Sequence, residues 1–68
     1  MSTATYTVVG MTCSHCVASV TEEVGEVAGV TEVRVDLDSG RLTVVSPDPV
    51  DPALVAAAVE EAGYTVAA

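Results

Sequence analysis

An α+β sandwich is the fold the sequence predicts, with two helices on one face of a four-stranded antiparallel sheet. Three observations predict it. Two segments, Val17 to Val27 and Leu54 to Ala62, carry apolar residues at helical spacing. Four segments, starting at Thr5, Val30, Arg41 and Tyr64, carry the alternation or β-branched content of strands. Their order is strand, helix, strand, strand, helix, strand. Every element has one apolar face, and the split-βαβ, ferredoxin-like arrangement buries all of those faces together. The chain has 68 residues, enough for a single domain over residues 1–68 with a small core and modest stability.

Thr5-Tyr6-Thr7-Val8-Val9 is rich in β-branched and aromatic residues and forms the first expected strand, which Gly10 ends. From Ser14 the period changes. Val17, Val20, Val24 and Val27 fall on one helical face, with Glu22, Glu23 and Glu26 on the rest of the surface. Thr12 or Ser14 is the expected N-cap, and Gly25 and Gly29 mark the end of the segment. Val30 to Leu37 and Arg41 to Ser46 both alternate, and Asp38-Ser39-Gly40 between them reads as a turn, so the two form a hairpin. The prolines at 47, 49 and 52 make the next stretch a loop. Asp51 followed by Pro52 fits an N-cap and first helical position. Leu54, Val55, Ala58, Val59 and Ala62 then form an apolar stripe that Gly63 stops. Tyr64-Thr65-Val66-Ala67 is a short last strand.

Composition removes several function classes. Half the residues are apolar, which argues against disorder, yet there is no Phe or Trp. The core must therefore be made of Val, Ala, Leu and Met, with Tyr6 and Tyr64 as the sole aromatics. Ten acidic residues stand against Arg34 and Arg41, for a net charge of −8. A nucleic-acid binder needs clustered cations to displace counterions from phosphate, so nucleic acid is excluded as a partner. An anionic membrane surface is disfavoured for the same reason. No apolar run approaches the ~20 residues of a membrane span, so no direct membrane insertion is expected. The first residues lack the basic and apolar regions of an export signal. The expected location is cytoplasmic, where thiols stay reduced.

The chemistry concentrates in Gly10-Met11-Thr12-Cys13-Ser14-His15-Cys16, which holds both cysteines and the only histidine. Cys13 and Cys16 stand at i and i+3 where a loop enters a helix. Their sulfurs can converge there, and the positive end of the helix favours thiolate. Two soft thiolates with no carboxylate beside them suit a soft ion rather than Mg, Ca or Mn. Zn(II) takes about four ligands, more than this stretch offers. Cu(I), content with two, is the expected metal. Met11 is expected to turn inward beneath the site. His15 is expected to face solvent and to tune thiol acidity and metal exchange, with a ligand role and an inert surface role as alternatives. Tyr64 stands either beside the site or as an ordinary core aromatic. A lone C-x-x-C also occurs in thiol-disulfide oxidoreductases and in half-sites for zinc. A small oxidoreductase therefore stays open as an alternative, as does a carrier of Hg(II), Zn(II) or Cd(II).

The string from Gly10 to Cys16 resembles the G-M-T-C-x-x-C signature of heavy-metal-associated (HMA) domains, and Glu61-Ala62-Gly63-Tyr64 resembles the end of that family's second helix. The resemblance runs from Tyr6 to Val66 and is strongest to free-standing bacterial copper chaperones. It implies a βαββαβ fold, Cu(I) held by Cys13 and Cys16, Met11 as a buried support and Tyr64 near the metal. No enzymatic activity is expected. The resemblance also implies delivery to the soluble metal-binding domain of a copper-transporting P-type ATPase, and the capacity for a Cu(I)-bridged homodimer. Several family members carry lysines around the docking face, and this chain has none. A free protein, rather than an excised ATPase domain, is the expectation from a chain that runs from Met1 to Ala68.

Overall fold

A computed structural model describes residues 1–67. The elements are β1 (Ser2–Val9), α1 (Ser14–Gly25), β2 (Glu32–Asp36), β3 (Arg41–Ser46), α2 (Pro52–Glu61) and β4 (Thr65–Ala67). The strands form one antiparallel sheet in the order β2-β3-β1-β4. This is the predicted βαββαβ sandwich.

The core follows from the side-chain alternation of strands. Tyr6 and Val8 of β1, Leu42 and Val44 of β3, Val33 and Val35 of β2 and Val66 of β4 share one face of the sheet. Val20 and Val24 of α1 and Val55, Ala58 and Val59 of α2 close over that face in a single cluster. Leu42 is fully buried and the bulkiest side chain of that class. Valines carry most of the rest, so packing rather than helix propensity holds α1 in place.

Several boundaries differ from expectation. β1 begins at Ser2 rather than Thr5, because Ser2, Thr3 and Ala4 pair with Ser46, Val45 and Val44. α1 closes at Gly25, and Val27 packs on the core from the turn beyond it. Neither Thr12 nor Ser14 caps α1. Cys13 occupies that position, extended at φ −156° and ψ 169°, with no side-chain cap. Leu54 is 51 % exposed and stands at the edge of the α2 stripe, because it lies a helical step round from Val55 and Val59. Asp51 caps α2 as predicted, its Oδ1 accepting from the Ala53 amide at 2.9 Å.

Gly40 joins the hairpin to β1. Its φ is +72°, and its carbonyl accepts from the Val8 amide at 2.7 Å. A Cβ there would stand 2.8 Å from the Val8 carbonyl oxygen, which is backbone and cannot step aside. Gly40→Ala is therefore expected to lower stability by at least the ~1–3 kcal/mol of a strained left-handed residue. Denaturant unfolding measures it, and an unchanged midpoint would contradict this packing.

Candidate metal centre

β1 ends at Val9, and Gly10 turns the chain at φ +102° into the loop that carries the thiols. Met11 is half-buried and packs against the core from beneath that loop. α1 then starts at Ser14, with the Cys16 and Val17 amides both donating to the Cys13 carbonyl, at 3.0 and 3.4 Å. This first turn folds Cys16 back over Cys13. The two sulfurs lie 3.6 Å apart as free thiols, Cys13 exposed and Cys16 half-buried. No side chain caps the helix, so the positive end of its dipole stays open to an anion.

Cys16 is held as a thiolate by its surroundings. A backbone hydrogen bond at Thr12 and a side-chain hydrogen bond from Tyr64 hold its pKa down to about 6, against a smaller opposing effect of desolvation; Cys13 adds to the lowering. The same pairing raises the pKa of Tyr64, since its hydroxyl donates best while protonated. Thr12 Oγ1 also lies 4.0 Å from the Cys16 sulfur. Tyr64 reaches this position from the turn after α2, where Gly63 adopts φ +96°. Its ring packs on the core cluster, and Cδ1 lies 3.4 Å from where a Gly10 Cβ would stand. The Tyr64 ring packs on the core cluster, and its hydroxyl acts on the acidity of the Cys16 thiol. Thr12, expected only as a cap, instead supports Cys16; its place directly before Cys13 was the available signal.

His15 is exposed on the first turn of α1, and its carbonyl accepts from Ser19 Oγ at 3.2 Å. Among the described residues, no cluster of three or more His, Cys, Asp or Glu side chains is placed to hold a metal. The structure therefore brings together Cys13, Cys16, Thr12 and Tyr64, sets Met11 beneath them, and leaves His15 outside.

The family profile for heavy-metal-associated domains matches residues 5–65. The chain belongs to the heavy-metal-associated domain family. It is 43% identical to the copper chaperone CopZ of Bacillus subtilis, over 98% of this chain and 99% of that protein. It is 42% identical to a copper-transporting ATPase of Rhizobium meliloti, over 84% of this chain but 7% of the ATPase. A solved CopZ metallochaperone superimposes with a TM-score of 0.91 at 33% identity, covering 97% of this chain and all of the other. Among the described residues of this HMA chain, no helix is long and apolar enough to cross a membrane.

The low pKa of Cys16 has a testable sign. The folded value, about 6, lies below the ~8.5 of an unperturbed thiol. Its contribution to stability is complete above the unfolded value, shrinks as pH falls toward 6, and is lost below it. Alkylation of Cys16 in Cys13→Ser is expected to titrate below the ordinary thiol range, though above the wild-type midpoint, because one of the lowering contacts is lost. Tyr64→Phe removes a donor to the thiolate and moves that midpoint upward. A midpoint unaffected by Tyr64→Phe would contradict the assigned hydrogen bond.

Proposed function

We propose that this chain is a copper chaperone that carries Cu(I) on the Cys13 and Cys16 thiolates and hands it on by ligand exchange. One observation carries the reading: two free thiols 3.6 Å apart at an uncapped, accessible helix start. A soft monovalent ion needs only such a pair, whereas Zn(II) needs about four ligands. The copper chaperones and copper-transporting ATPase among its relatives support the same choice.

The role is transport rather than catalysis. The chain acts as one domain over residues 1–68, in the cytoplasm. The recipient is the soluble metal-binding domain of a copper-transporting P-type ATPase. A thiolate of that domain attacks the two-coordinate Cu(I), giving a shared three-coordinate ion. One of the chaperone thiolates then leaves and takes up a proton. The ion keeps at least two sulfur ligands throughout, and its oxidation state does not change. Exposed Cys13 is the thiolate that leaves first, because Thr12 and Tyr64 support Cys16. Met11 braces the loop from below, and exposed His15 modulates exchange without binding the ion. Two copies can also share Cu(I) through their thiol pairs.

The test is an oxygen-free titration of Cu(I) against a competing chelator, repeated with Hg(II), Zn(II) and Cd(II). Cu(I) is expected to bind at one ion per chain and to move to an added ATPase metal-binding domain while the chelator stays unloaded. Preferential retention of another metal would replace copper with a different soft cargo. Disulfide reductase activity in the metal-free protein would favour the oxidoreductase reading.

A further inference from the structure

Charge is spread unevenly over this chain. Both arginines lie on the β2–β3 surface, where each has a carboxylate at hand. Arg34 Nε is 2.9 Å from Glu32 Oε2, and Arg41 is the register partner of Asp36. The other eight carboxylates account for the net charge of −8, and they lie on the helices, turns and loops. Asp38, Glu60 and Glu61 stand at the end of the fold that carries the thiols. The Val8 amide donates to the Gly40 carbonyl just before the thiol loop begins, which brings the hairpin turn and its exposed Asp38 to that end. Tyr64 stands beside Cys16, which brings the close of α2, with exposed Glu60 and Glu61, to the same end from the other side of β1. Between these flanks, Thr7 to Thr21 carries no carboxylate, lysine or arginine, and Cys13 is exposed within it.

A thiol that takes cargo from Cys13 and Cys16 must attack as a thiolate. It approaches as an anion toward a centre where two thiolates outweigh one Cu(I). The flanking carboxylates add to that repulsion. Cations set around the incoming thiolate offset it, whereas a small anionic thiol brings no cation with it.

We propose that Asp38, Glu60 and Glu61 select the exchange partner of this site by charge. The partner is a protein domain whose own exposed thiol pair stands among Lys and Arg side chains, and anionic small thiols are held off. This rests on the cargo reading above and names the kind of surface that receives the ion. The partner meets the uncharged stretch around Cys13, while its cations reach the carboxylates on either side. An acidic partner face would set like charges together at both flanks, at a cost of several kcal/mol. Contacts of this kind act mostly on the rate of association and weaken with salt.

The first test needs no metal. The reduced, metal-free chain is treated with cystamine, a dication, or with 3,3′-dithiodipropionate, a dianion. A protein thiolate attacks one sulfur of the probe, forms a mixed disulfide and releases one small thiolate. Each rate is divided by that of N-acetylcysteinamide with the same probe. At an ionic strength of ~0.01 M, where the screening length is ~30 Å, the normalised cystamine rate is expected to exceed the other at least about tenfold. At ~1 M, where that length is ~3 Å, the gap is expected to close to within about twofold. Glu60→Gln/Glu61→Gln is expected to narrow the low-salt gap at least about threefold. Glu26→Gln/Asp48→Asn makes the same change in charge at the far ends of α1 and β3, and is expected to leave the gap near its wild-type value. Equal normalised rates at low salt, a gap that Glu60→Gln/Glu61→Gln leaves unchanged, or equal narrowing by the two double variants overturns the proposal.

The second test uses the chain loaded with Cu(I) without oxygen, and Cys-Gly-Gly-Cys peptides flanked by lysines or by glutamates as acceptors. At ~0.01 M ionic strength the lysine peptide is expected to take the ion at least about tenfold faster. A chain that loads Cu(I) but yields it equally fast to both peptides overturns the charge selection alone. A chain that fails to load Cu(I) removes the cargo reading, and the disulfide rates then decide the charge selection by themselves.

Discussion

Cys16→Ser is expected to weaken Cu(I) binding by well over a hundredfold. Loss of a supporting group around a metal ligand costs about 10–100-fold, and removing one of two ligands must exceed that. Cys16 also carries the backbone support of Thr12 and the hydroxyl of Tyr64, and serine keeps their geometry without the soft anion. Cys13→Ser should show a loss of the same order. Tyr64→Phe keeps both thiolates and should show a much smaller loss, felt most at acidic pH, where the donor keeps Cys16 ionised. Competition with a Cu(I) chelator under reducing conditions measures all three. Near-native affinity in either serine variant would remove the metal assignment.

Leu42→Ala should produce the largest change in stability. Leu42 is fully buried in β3, with Tyr6 of β1 and Val35 of β2 as its register partners. Truncating a buried leucine costs about 2–5 kcal/mol, because the cavity it leaves closes only in part. A chain of this length has about 3–10 kcal/mol in total, at roughly 0.05–0.15 kcal/mol per residue. There is no Phe or Trp in the core to compensate. The melting midpoint is expected to fall by roughly 8–40 °C, at about 4–8 °C per kcal/mol for small domains. Saturating Cu(I) should restore part of it, about 2.7 kcal/mol at a hundredfold excess over the dissociation constant. A midpoint within a few degrees of wild type would show that the core does not close on Leu42. A midpoint that copper leaves unmoved would separate the metal site from folding.

The element order was legible because each signal is local. Asp51-Pro52 announces a helix start on its own, and Gly40 closes a hairpin between two alternating strands. The thiol pair was legible for the same reason, since an i, i+3 spacing at a helix start leaves the sulfurs little choice. What sequence patterns missed depends on partners distant along the chain. The first residues of β1 have no strand-like alternation and are ordered by β3. Tyr64 comes beside Cys16 because β4 lies next to β1, a fact of sheet order rather than of the tyrosine's neighbours in sequence. Leu54 reads as part of the α2 apolar stripe, but it lies at the edge of that stripe and is exposed.

X-ray absorption at the copper edge, on protein loaded without oxygen with one equivalent of Cu(I), bears most directly on the central claim. The expected spectrum is that of monovalent copper with sulfur as its only near neighbour, lost in Cys13→Ser/Cys16→Ser. A nitrogen or oxygen shell, such as His15 would supply, or a spectrum unchanged in the double variant, would contradict it.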